Sequence, residues 1–489
     1  MASQSSQLKP DWLKAPADLN SISPKVWPST AMRTADGELS IGGIGVDELV
    51  NQFGTPLYVV DEHDFRLRAT AVKKALTDAA ERIGTTAKVY YASKAFLCTQ
   101  VVEWVDELGL SIDVSSAGEL AAALAGGIPA ERIGLHGNNK SPGEIGRAIS
   151  AGVGAIVIDS DIEIERIASI AAAMDKVQPV RLRVSTGVHA DTHDFLATAR
   201  EDQKFGIPLA DVPALVAKIR SDRHLKFLGL HQHVGSQIYS ADGFVASTKR
   251  LIQMHAQLLA GGEIPELNLG GGFGINYKLA DDAPEVSKTA HAITDAVAAE
   301  CQRLGIKVPA LAFEPGRSIV GNSGITLYNV GTIKDVVLTD ATEAADGVPQ
   351  TRKYVSVDGG MSDNIRTALY EAEYHTVLAS RVSSAEPALS RVVGKHCESG
   401  DIVVRHDYLP ADVAPNDLLA VAATGAYCHS MANNYNWIAR PPVVAVRGGN
   451  ASLLVRGETE ADLFARDVRY QHLHGGQGKI GSTSRNEKD

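Results

Sequence analysis

The chain has 489 residues, 44% of them apolar or aromatic and 21% charged, with a formal net charge of −11. This balance fits a globular chain with a sizeable core and excludes a disordered, collagen-like or disulfide-stapled small protein. It also argues against a non-specific nucleic-acid binder, which needs clustered Lys and Arg to meet phosphates.

Four cysteines, Cys98, Cys301, Cys397 and Cys428, stand far apart with no CxxC pair, so no thiolate zinc site and no metal is expected. So few cysteines in a long chain fit a reducing compartment. The first thirty residues carry charges and prolines without an apolar signal core, and no run approaches a membrane span. A cytoplasmic enzyme with no nucleic-acid and no membrane partner is expected.

In chain order, residues 1–52 read as an arm, Ser/Pro-rich and loosely held to about Ser40, with one strand near Glu38–Ile41 and part of it joining a β domain. Residues 53–314 read as one α/β unit. A strand at Pro56–Val60 leads through Asp61 into a helix. Then come eight candidate strands: Lys88–Ala92, Ser111–Val114, Ile133–His136, Ala155–Ile158, Val180–Val184, Phe227–His233, Glu266–Leu269 and Ala310–Glu314. Helical runs separate them, among them Gly118–Ala125, Pro142–Ala151, Ile162–Met174, Leu209–Arg220 and Ala246–Leu259. Eight such alternations predict a closed, TIM-like (β/α)8 barrel. Residues 315–470 read as a mostly antiparallel β domain, with strands at Val320–Asp335, Lys353–Val357, Gly400–Val404, Leu418–Ala423 and Val443–Arg447. Asp340–Thr351 is expected to be a loop, and residues 471–489 a flexible tail.

In a barrel of this kind the chemistry sits where strands end. Lys94 follows the first strand, His233 ends the sixth, Gly270–Gly272 follow the seventh, and Glu314 ends the eighth, with Arg317 three residues on. Each has a plain alternative: a surface lysine, a satisfied core histidine, a tight turn, an ion pair of Glu314 with Arg317. The glycine run lacks the spacing of a dinucleotide fingerprint. Together the residues answer the needs of pyridoxal phosphate. An amine can bond the aldehyde, glycine backbone can approach the phosphate, a carboxylate can keep the pyridine nitrogen protonated, and an imidazole can stack on the ring.

Ten segments extend the pattern in order: Gly54-Thr-Pro-Leu-Tyr58, Tyr91-Ala-Ser-Lys94, Asp113-Val-Ser-Ser-Ala-Gly-Glu119, His136-Gly-Asn-Asn-Lys140, Lys204-Phe-Gly206, His233-Val-Gly-Ser-Gln237, Gly270-Gly-Gly-Phe-Gly274, Glu314-Pro-Gly-Arg317, Cys397-Glu-Ser-Gly-Asp401 and Gly425-Ala-Tyr427. With these the chain resembles the fold-type III pyridoxal-phosphate decarboxylases, which share the alanine racemase-like barrel, and among them the diaminopimelate decarboxylases. The resemblance implies pyridoxal 5'-phosphate as cofactor and decarboxylation of meso-diaminopimelate to lysine, the last step of lysine biosynthesis. It implies Lys94 as the cofactor-bonding lysine and Cys397 as the proton donor. Cofactor contacts would come from His233, Ser236, Gly271, Gly272, Glu314, Gly316, Arg317 and Tyr427. The amino-acid substrate would meet Arg317, Arg366, Tyr370, Glu398 and Tyr427. It implies a homodimer whose sites each combine one subunit's Lys94 with the other's Cys397.

Two departures from the family pattern stand out. Thr367 follows Arg366 where a proline is usual, and Gly-Lys-His precedes Cys397 in place of Gly-Pro. Two other functions compete. A related ornithine, arginine or carboxynorspermidine decarboxylase would use the same cofactor residues. A catalytically silent regulator would be expected to lack Lys94 or Cys397, and both are present.

Overall fold

The computed structural model describes residues 9–188, 204–337 and 351–474. Eight parallel strands form a barrel: Ala87–Ala92, Ser111–Val114, Ile133–Leu135, Ala155–Ile158, Gln178–Ser185, Leu225–His231, Glu266–Asn268 and Ala310–Phe313. The last pairs with the first, Leu311 opposite Ala87 and Phe313 opposite Val89. That pairing closes the ring and removes its edges. Each expected barrel strand is found. These strands are covered on both faces, which is why they read as short continuous apolar runs.

The helices between them carry their own start and stop signals. Pro142–Ala151 is an example: Ser141 and Glu144 form a capping box, Pro142 fits the first turn, and Gly152 ends the helix at φ 78°. Inside the barrel the buried guanidinium of Arg181 reaches the Tyr90 hydroxyl at 2.9 Å and the Glu266 carboxylate. Three strands are thereby tied by one paired charge, as burial of an arginine requires.

The second domain is a mixed, mostly antiparallel sheet. Its order is Ile402–Pro410, Pro387–Val393, Thr351–Val357, Gly324–Val337, Leu57–Asp61, Val443–Arg447 and Asn450–Val455, with Thr376–Leu378 and Leu418–Val421 joined to one side. One expectation is corrected here. Leu57–Asp61 does not belong to the barrel unit; it pairs antiparallel with Gly324–Leu327 and parallel with Val443–Val446. The barrel unit therefore starts after this strand.

The arm is also held more firmly than its composition suggests. Val26 and Trp27 are fully buried, and Leu39 and Ile41 pack with Leu57, Ile325, Ala420 and Val444 of the second sheet. The Leu39 N–H donates to the Ala379 carbonyl at 2.7 Å. Burial of each such side chain stabilises by roughly 1.5–3 kcal/mol, enough to fix a strand without periodicity. At the other end, residue 471 lies inside the helix Val468–His474, not in a tail. The rest of the expected tail, Gly475–Asp489, lies outside the described residues, as does the expected loop from Asp340 apart from Thr351, which opens a strand. No helix among the described residues is long and apolar enough to cross a membrane.

Candidate active site

A cleft opens where the barrel strands end. Its walls include Lys94, His233, Ser236, Gly272, Glu314, Gly316 and Arg317 from the barrel, and Arg366, Tyr370 and Tyr427 from the second domain. Ten of the residues singled out in the sequence thus meet in one place. Lys94 sits in a single 3-10 turn, Ser93–Ala95, directly after the first strand, and its side chain reaches solvent in the cleft. The second domain clamps this turn: the Tyr427 N–H and the Ser430 hydroxyl both donate to the Ala95 carbonyl, at 2.8 and 3.2 Å.

Glu314 is 6% exposed. Its carboxylate accepts from Asn268 Nδ2 at 2.8 Å and from His231 Nε2 at 3.1 Å, and His136 Nε2 lies 3.4 Å away. Burial works against a charge here, but the attraction of His231 and His136, with the His231 hydrogen bond, outweighs it and holds Glu314 well below the usual carboxylate range. Burial drives the two histidines themselves down, towards the neutral form. Asp113, fully enclosed and close to Glu314, is pushed well above its usual range by burial and then by that neighbour. The anion on this wall therefore rests on Glu314. His136, His231 and Glu314 also lie close enough together to suit a metal ion. Because Glu314 lines the cleft and the two histidines are packed against its carboxylate, we read them as its charge support.

His233 lies one step further along the same strand direction. Its Nδ1 accepts from the Gly271 N–H at 3.2 Å, which leaves Nε2 as the protonated nitrogen. Burial first, then Lys94 and Arg183, lower its pKa well below the ordinary value, so the ring is neutral. Gly271 itself does not line the cleft. Its absent side chain matters because a Cβ there would run into the Glu314 carbonyl, and a Cβ on Gly272 (φ 116°) would run into Gly235. Only glycine lets these two backbones approach, and the resulting cradle fits a phosphate.

The cations complete the charge pattern. Arg317 is 6% exposed, donates to Ser236 Oγ at 2.9 Å and to the Tyr277 hydroxyl, and lies 4.5 Å from the Tyr427 ring centre. It makes no ion pair with Glu314. Arg366, 4% exposed, donates to the Tyr374 hydroxyl and lies 4.7 Å from the Tyr277 ring centre. The Nε of each is buried without a hydrogen-bond partner among the described residues. Two buried guanidinium groups, each with a donor to spare, call for anions. A phosphate and substrate carboxylates meet that demand, so the residues present fit pyridoxal phosphate.

Thr367, in place of the usual proline, donates to the Val403 carbonyl at 3.1 Å and so anchors the turn behind Arg366. Two expected site residues are not brought to the cleft. Cys397 and Glu398 are exposed on the second domain and are absent from the cleft walls. Several wall or support residues escaped the sequence reading: Arg183, Asn268, His231, Asp113, Tyr277 and Tyr374. One had a usable signal. His231 ends a strand and His233 follows two residues on, the spacing at which an extended chain repeats a face.

Residues 69–321 match the family model of the pyridoxal-dependent decarboxylases, pyridoxal binding domain. A diaminopimelate decarboxylase of Mycobacterium tuberculosis is 47% identical over 460 residues, covering 92% of this chain and 100% of that protein. One of Bacillus subtilis is 41% identical, with 90% and 98% covered. The chain belongs to the diaminopimelate decarboxylase family. The crystal structure of diaminopimelate decarboxylase from M. jannaschii in complex with L-lysine superposes at a TM-score of 0.82 and 31% identity, over 91% of this chain and 99% of that one. A lysine/ornithine decarboxylase from Vibrio vulnificus, complexed with putrescine, shares the fold at a TM-score of 0.67 and 21% identity. The family read from the ordered motifs, and the barrel with its second sheet, are borne out.

Proposed function

We propose that the chain removes carbon dioxide from meso-2,6-diaminopimelate to give L-lysine, with pyridoxal phosphate held in the cleft described above. One observation carries the reading. A single cleft unites an amine, a buried carboxylate, a glycine cradle and two buried arginines with unpartnered donors. Lys94 would hold the aldehyde carbon, His233 one face of the ring, Glu314 the pyridine nitrogen, and Ser236, Gly271, Gly272, Gly316 and Tyr427 the phosphate end. When bound, pyridoxal phosphate supplies the electron sink into which the bond to the leaving carboxylate breaks. Arg317 and Arg366 bind and orient the substrate carboxylates, with Tyr370 beside them. Glu314 keeps a negative charge fixed against the nitrogen, held in place by the Asn268 and His231 hydrogen bonds to its carboxylate.

Reprotonation falls to Lys94, which is in the cleft, or to Cys397, which one chain does not bring to its own cleft. Cys397 and Glu398 stand on an open face beside the turn that carries exposed Tyr435 and Trp437. We propose that a second copy covers this face, so that Cys397 protonates, and Glu398 meets the distal ammonium, in the neighbour's cleft. Exposed aromatic groups are the kind that such contacts bury. All four cysteines are free thiols, which fits a cytoplasmic setting.

The test is carbon dioxide and lysine release from meso-diaminopimelate, with and without added pyridoxal phosphate. Cofactor-dependent turnover with ornithine and arginine far poorer is expected. Preference for ornithine would favour the related amino-acid decarboxylases, whose substrates leave one arginine without a carboxylate.

A further inference from the structure

The loop that carries Cys397 is built around its neighbour. His396 is buried, and both its backbone N–H and its Nδ1 meet Asp401 Oδ2, at 2.8 and 2.9 Å. Its ring lies parallel to Tyr435 at 5.9 Å between centres. The other oxygen of Asp401 accepts the Met361 N–H at 2.6 Å. No space is left around the pair: a Cβ on Gly394 or Gly360 would strike Asp401. One residue on, the Cys397 N–H donates to Asn436 Oδ1 at 3.0 Å, and Asn436 holds φ 53° to accept it.

We propose that His396 is a positioning residue for Cys397, with Asp401 fixing the imidazole. Two consecutive residues thus have opposite fates. The imidazole is locked inward by a carboxylate and a ring, while Cys397, next to it in the bent loop, is exposed. Asp401 also holds Met361, five residues before Arg366, so one carboxylate braces both the cysteine loop and the segment leading to the substrate arginine. This inference rests on the reading that Cys397 serves the neighbouring subunit's cleft.

The test uses paired subunits. In a mixture of Lys94→Ala chains with His396→Ala chains, the one heterodimeric cleft that keeps its lysine receives Cys397 from an intact loop. In a mixture of wild type with Lys94→Ala/His396→Ala chains, it receives Cys397 from the altered loop. The first heterodimer is expected to keep about half of the wild-type rate, and the second to lose roughly tenfold in kcat with KM within twofold. His396→Asn, which keeps an N–H for Asp401, is expected to restore most of that loss. Equal rates in the two heterodimers would overturn the proposal, since a general folding defect would not depend on which chain carries it. A control mixture of Lys94→Ala with Cys397→Ala separates the two readings. No activity there sinks the shared site itself, whereas activity there with equal His396 heterodimers sinks only the role of His396.

Discussion

The backbone N–H of Tyr427 donates to the carbonyl of Ala95 at 2.8 Å, one residue beyond Lys94. A residue of the second domain thereby sets the position of the amine on the barrel. Tyr427 adopts φ 63° to reach it, a left-handed conformation that a bulky side chain enters only at a cost of about 1–2 kcal/mol. The same residue places its ring against Arg317. Lysine, arginine and the domain boundary are therefore one mechanical unit.

Removing that ring should loosen the phosphate end first. Tyr427→Ala keeps the backbone bond but loses the contact with Arg317, worth about 0.5–2 kcal/mol. Pyridoxal phosphate affinity, read by absorbance titration, is expected to fall by roughly three- to thirty-fold. The melting temperature should move by only a few degrees.

Glu314→Gln tests the fixed charge. The side chain keeps its shape, but the anion on the pyridine nitrogen is lost. A fall of about a hundredfold in kcat is expected, in the range seen when one preorganised electrostatic group is removed. Wild-type Glu314 sits well below the ordinary carboxylate range. A depressed acid contributes stability above its unfolded value, which is lost only as pH falls towards its folded one. No loss of activity from this group is therefore expected in a pH–rate profile above about pH 5, near the ordinary Glu value.

Arg366→Lys keeps the charge but not the fork. Hydrogen bonds to charged groups are worth about 1.5–3 kcal/mol, and lysine cannot make two parallel ones. KM for diaminopimelate should rise by roughly ten- to a hundredfold with a smaller change in kcat. An unchanged KM would place the substrate carboxylate elsewhere.

The helix Ala241–Leu258 offers a stability test away from the cleft. His255 is buried on it, and burial lowers its pKa from 6.5 to about 4. Below pH 6.5 the unfolded chain binds a proton that the folded chain refuses, so stability falls as pH drops through that window. Chemical denaturation at pH 7 and pH 5 should show a smaller loss in His255→Leu than in wild type, by about 1–2 kcal/mol.

The barrel was legible because its strands are buried on both faces and its helices carry caps such as Ser141 and Glu144. Lys94, Glu314 and Arg317 were legible because strand ends in a barrel converge. The strand Leu57–Asp61 was misplaced because its neighbours, Gly324–Val337 and Val443–Arg447, lie hundreds of residues away and leave no local trace. Pro387–Val393 and Asn450–Val455 are half-exposed, with weak alternation. Arg183 shares its strand with Arg181, and Asn268 ends a three-residue strand; only the closed ring brings the first to the cleft and the second to Glu314. Trp27 was overlooked because an arm without periodicity still buries whatever large apolar side chains it has.

The most direct measurement is to incubate the protein with pyridoxal phosphate, reduce with borohydride, digest, and map the modified residue by mass spectrometry. A pyridoxyl group on Lys94, absent from Lys94→Ala, is the expected result. A stoichiometric label on a different lysine, or no label on a protein that still releases carbon dioxide from meso-diaminopimelate, would contradict it.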